Sequence, residues 1–124
     1  MPAPPFQGTT VTIHVNDLAK ARKFYKDVIG FPEKVWAPEA DYAEYAMPGP
    51  VALGVHQTFP GHTGRPPGTV SGITFQSEDV PGAVKELKPR GVTITDEPEK
   101  FDWGTIAAFA DPEGNEFVVL HLSD

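Results

Sequence analysis

Among its 124 residues the chain has no cysteine. Structural disulfides, thiolate zinc sites, iron–sulfur clusters and a cysteine nucleophile are all excluded by that absence. Positive charge is scarce: ten Lys and Arg stand against seventeen Asp and Glu, for a formal net charge of −7. A protein that tracks a phosphate backbone needs the opposite sign, so nucleic acid is not an expected partner. No run of 18 apolar residues occurs, and the opening MPAPPFQG lacks the basic and apolar regions of a leader. A cytoplasmic protein without a membrane partner is the expectation. The chain also lacks a G-x-S-x-G element, a Walker loop, a Rossmann glycine fingerprint and an H-E-x-x-H pair. Hydrolase, nucleotide-binding and zincin readings therefore have no support.

What is present is a doubled pattern. Thr9 to Val15 alternates, with Val11, Ile13 and Val15 on one side and Thr10, Thr12 and His14 on the other, as in a strand with one apolar face. Asn16 and Asp17 can cap a helix in which Leu18, Ala21, Phe24, Tyr25 and Val28 recur at steps of three and four up to Gly30. Strands are expected at 33–37, 41–46 and 51–57, with a Pro-Gly-Pro turn at 48–50. Residues 57–69 have no hydrophobic period and read as an exposed connector. The order then repeats: a strand at 70–77, an Asp79-led helix through Ala83, Val84 and Leu87, and strands at 92–95, 104–110 and 115–122. Ile13-His14-Val15-Asn16-Asp17-Leu18 and Phe75-Gln76-Ser77-Glu78-Asp79-Val80 match in strand face, cap and helix entry. One βαβββ unit cannot bury its own sheet, so two such units must pair. The expected fold class is α+β, a single domain of tandem βαβββ modules: module one 8–57, connector 58–68, module two 69–124.

VNDLAKARKFYKDVIGF at 15–31 and DPEGNEFVVLH at 111–121, together with the duplication, carry a resemblance to the vicinal oxygen chelate superfamily. That superfamily includes glyoxalase I, extradiol dioxygenases and bleomycin-resistance proteins. The resemblance spans nearly the whole chain and implies a mixed sheet curled around a concave cleft, usually in a homodimer. Metal-using members hold a divalent ion there through two side chains from each module, for Lewis-acid chemistry. Carried onto this sequence, those four places fall on Thr10, Gly54, Gly72 and Val118. None offers an imidazole or a carboxylate, so no metal and no other cofactor is expected.

By alternation, Thr12 and His14 should face the cleft with Thr10, and His56 with Gly54. If the two strands are parallel neighbours, as the resemblance implies, His14 and His56 lie side by side. Thr74 and Gln76 occupy the corresponding face of module two, and Trp103 could stack on a planar ligand, with Trp36, Tyr42 and Phe59 as possible companions. The expected ligand-binding set is thus Thr12, His14, His56, Thr74, Gln76 and Trp103. His62, in the connector, and His121 are expected to lie outside it. The partner is a small molecule, weakly polar, aromatic or cationic, held without chemistry in the manner of bleomycin-resistance proteins. The alternative is an enzyme of the lyase or dioxygenase kind that uses a shifted metal site or His14/His56 acid–base chemistry.

Overall fold

The computed structural model describes residues 1–62 and 64–123. The first half comprises β1 (Thr9–Val15), α1 (Leu18–Arg22), β2 (Glu33–Ala37), β3 (Tyr42–Met47) and β4 (Val51–Gln57). The second comprises β5 (Val70–Gln76), α2 (Val80–Leu87), β6 (Thr93–Phe101), β7 (Gly104–Ala110) and β8 (Glu116–Leu122). Each half is a four-stranded sheet, ordered β1-β4-β3-β2 and β5-β8-β7-β6. In each, the first strand runs parallel to the last and the other pairs are antiparallel. The tandem βαβββ order holds, built as two four-stranded mixed sheets. β6 also runs on to Phe101, past the 92–95 expected, because it bulges at Asp96 and Glu99 and so keeps its pairing with β7.

The two helix entries are built alike. Asp17 Oδ1 accepts from Lys20 N at 3.1 Å and Asp79 Oδ1 from Gly82 N at 2.9 Å, each satisfying a free helix donor. Gly30 and Gly91, at φ 89° and 81°, end the two helical stretches in the left-handed region. The first departs from the regular α-helix that its periodicity implies: Lys23–Ile29 is a π-helical turn. A wider turn brings successive side chains closer in direction, and the neighbours Phe24 and Tyr25 are both buried.

Those two aromatics lie between the sheets. The Tyr25 ring centroid is 6.0 Å from Tyr45 of the first sheet and 6.1 Å from Phe117 of the second. Ile13, Val15, Leu53 and Val55 join Ile73, Phe109, Phe117 and Val119 in one apolar cluster. Each sheet therefore packs one face into a common core and turns the other away from it. A polar seam ties the halves: Tyr25 Oη donates to Asp111 Oδ2 at 2.6 Å, and Asn115 Nδ2 donates to the His14 carbonyl at 3.1 Å. The Glu113 carboxylate accepts from Asn16 N and Asp17 N at 2.6 and 2.9 Å. The Asp-Pro-Glu-Gly-Asn turn of the second half thus holds the entry to α1 of the first.

Candidate functional site

On β1 and β4 the alternation works as read. His14 and His56 are register partners across the parallel pair, with ring centroids 5.9 Å apart. Thr12 pairs with Gly54 on the same face, and Tyr42 of β3 stands opposite His56. Gly54 forms the floor of a small cradle. A Cβ there would meet Thr12 Oγ1 and Tyr42 Oη at 2.8 Å each and Thr10 Cγ2 at 3.2 Å. Two hydroxyls therefore converge over a residue that has no side chain.

His62 belongs with this group, contrary to the expectation of a solvated loop residue. Its ring centroid lies 4.1 Å from that of His14. Phe59, one connector turn earlier, packs edge-on against His56 at 5.9 Å and His62 at 5.5 Å. His14, His56, Phe59 and His62 form a closed ring of aromatic contacts that fastens the connector over the end of β1 and β4. Alternation could not reveal this, since His62 is on no strand. The only available signal was two aromatic rings in an otherwise Pro- and Gly-rich stretch.

The hydrogen bonding of the imidazoles is incomplete. His56 Nδ1 lies 2.7 Å from the Gln57 carbonyl and His62 Nε2 lies 3.3 Å from the Arg65 carbonyl. Since a carbonyl only accepts, those nitrogens carry the proton. Among the described residues, buried His14 Nδ1 has no hydrogen-bond partner, a condition worth about 1–3 kcal/mol of lost hydrogen bonding. Burial first, then the neighbouring His62 and His56, lowers the His14 pKa below the ordinary imidazole value.

The remaining residues named from sequence lie elsewhere. Thr74 and Gln76, paired with Val118 and Leu120, border a groove of about 370 Å³ with Pro48, Gly49 and Val51. Trp103 is 49% exposed at the β6–β7 turn, stacked on Phe101 at 5.2 Å. Trp36, by its pairing with Ala43, faces the core side, where the Arg22 guanidinium lies 4.2 Å over its ring. Within one chain, then, Thr12, His14 and His56 are gathered with Tyr42, Phe59 and His62, whereas Thr74, Gln76 and Trp103 belong to the second sheet. The outer face of that sheet has its own concavity of about 520 Å³, lined by Ile106, Ala108 and Val118 with Asp96, Glu99 and Glu116.

The four positions onto which the resemblance carries a metal site do not fit an ion here. Gly54 is covered by hydroxyls, and Gly72 sits at φ 78° within a bulge of β5, a conformation that disfavours any side chain. Thr10 and Val118 offer no charged or imidazole donor. Among the described residues no group of three His, Asp or Glu is placed to hold a metal ion.

Paired βαβββ sheets define a fold shared with known proteins. The chain belongs to the Glyoxalase/Bleomycin resistance protein/Dioxygenase superfamily, whose model matches residues 9–119. It is 32% identical over 113 residues to YetH, an uncharacterized protein of Bacillus subtilis (strain 168), with 89% of this chain and 93% of YetH covered. Among solved structures it is similar to TnmS3, an antibiotic binding protein from Streptomyces sp. CB03234: 28% identity, TM-score 0.78, 99% of both chains. A superfamily member from Sphaerobacter thermophilus DSM 20745 is 30% identical with TM-score 0.75, covering 91% of this chain and 94% of that one.

Proposed function

We propose that this protein captures a small organic molecule with an aromatic or weakly polar body, and that it does so without the divalent metal of its metal-using relatives. The observation that carries this reading is the Gly54 cradle. The place of a metal ligand is taken by two converging hydroxyls with imidazoles beside them, a surface that orients a ligand by hydrogen bonds. Similarity over its full length to an antibiotic binding protein supports the same reading. In the proposal, Thr12, His14 and His56 form one wall, and Thr74, Gln76 and Trp103 belong to the other.

Because the two sheets of a chain share a core, their outer faces point away from each other, and one chain presents two half-clefts. A homodimer that sets module one (8–57) of one copy against module two (69–124) of the other completes them. Light scattering coupled to size exclusion is expected to give twice the chain mass.

Ligand capture is tested by titrating chelator-treated protein with a library of planar aromatic compounds while following tryptophan fluorescence. Saturable binding by the wild type that is lost in Gly54→Ala is expected. A requirement for added divalent metal, or turnover of a bound compound, would overturn the reading.

A further inference from the structure

We propose that the histidine end of the first sheet takes the carboxyl group of an organic acid with a planar body, and binds it with uptake of one proton. The inference rests on the ligand-capture reading above and names the chemical class of the ligand.

Three imidazoles meet at this place, and each has a ring nitrogen left over. His14 Nδ1 is buried and has no partner among the described residues. His56 and His62 point their proton-bearing nitrogens at the Gln57 and Arg65 carbonyls, which leaves His56 Nε2 and His62 Nδ1 as lone pairs. Those two lone pairs do not welcome a bare carboxylate, which is itself only an acceptor. One shared proton resolves the conflict, whether counted as imidazolium with carboxylate or imidazole with carboxylic acid. With ring centroids 4.1 Å apart, His14 and His62 repel each other when both are charged, so a second proton is opposed.

No carboxylate competes for that role among the described residues. Tyr42, the β3 group facing His56, has its hydroxyl on Glu44, which Lys34 neutralises at 3.6 Å. Behind His14, Glu113 is committed to the Asn16 and Asp17 amides and Asp111 to Tyr25 and Asn115. Asp17 caps Lys20. On the connector the other charged group is Arg65, a cation bound to the Val70 carbonyl. In a chain of net charge −7, this cluster has no carboxylate counter-ion among the described residues of its own chain, and the acid supplies one. Asp96, Glu99 and Glu116 line the outer face of the second sheet instead.

Three matched probes test this: 2-naphthoate, 2-naphthamide and 2-naphthylmethylamine, titrated calorimetrically from pH 6 to 8.5. Naphthoate is expected to bind at least about tenfold tighter than naphthamide at pH 6, the gap closing by up to about tenfold per pH unit above the imidazole range. At pH 7.5, phosphate and Tris buffers should report uptake of about one proton with naphthoate and none with naphthamide. His14→Gln and, on the exposed connector, His62→Gln should each remove most of the difference between naphthoate and naphthamide, with a cooperative melt confirming the fold. Equal binding of naphthoate and naphthamide, absence of proton uptake, or tightest binding of the amine would overturn the acid assignment and leave ligand capture standing. Failure of all three probes to bind would count against ligand capture itself, and the assignment would fall with it.

Discussion

Removing the Tyr25 hydroxyl probes the contact that makes the two sheets one body. Tyr25 is 1% exposed and donates at 2.6 Å to Asp111, itself 4% exposed. A hydrogen bond to a charged acceptor contributes about 1.5–3 kcal/mol. In Tyr25→Phe the carboxylate keeps the amides of Glu113 and Asn115 and the Asn115 side chain, all at 2.9 Å, so no uncompensated charge is added to that loss. For a chain of this length the expected fall in Tm is roughly 5–12 °C. Asp111→Asn should cost more, since an amide cannot accept from all these donors, and the double variant should show coupling of about 1 kcal/mol or more. Burial first, then the Asp111 charge, holds the Tyr25 pKa well above its ordinary value of 10.0. The raised pKa means that this stabilisation is full below about pH 10 and is lost as pH climbs toward the folded-state value. Burial pushes Tyr45 up to about 12, so Tyr25→Phe should flatten the alkaline decline without abolishing it. Urea melts at pH 7 and pH 10.5, followed by circular dichroism, provide both readings. A Tyr25→Phe protein as stable as the wild type at pH 7 would refute the claim that this bond ties the halves together.

Three further outcomes are expected. Gly54→Ala places a methyl group against Thr12 Oγ1 and Tyr42 Oη and should cost about 1–3 kcal/mol in a denaturant melt, with part of the loss recovered by adding Tyr42→Phe. The lowered His14 pKa gives the opposite pH sign to Tyr25: its contribution is complete above about pH 6.5 and is lost as pH falls from there toward the depressed value. His14→Gln should therefore shallow the acid limb of a stability-versus-pH curve. Gly104, at φ 155°, lies against the His121 backbone, whereas Gly49, at φ 77°, faces open space. Gly104→Ala should prevent soluble expression or lower Tm far more than Gly49→Ala, whose cost is about 1 kcal/mol.

The repeat by itself carried the architecture. Apolar alternation over Thr9–Val15 and Val70–Gln76, Asp caps at 17 and 79, and glycines at 30 and 91 are all local signals, each read within about one turn or one strand. Local signals also placed His14 on a face with Thr12, and the resemblance placed it beside His56. Long-range packing was not legible. The widening of the helix at Lys23–Ile29 follows from burying two adjacent aromatics between sheets that are distant in sequence. The assembly of the site likewise depended on tertiary structure. His62 joins His14 because the connector folds back over the β1–β4 end, while Trp36, Thr74 and Trp103 are carried away by strand register and by the second sheet. The sequence by itself determined which residues share a strand face, since side-chain alternation is a property of the extended backbone. Which faces look inward together and which loop closes over them was decided only by the tertiary structure, because burial is shared between segments that no local rule connects.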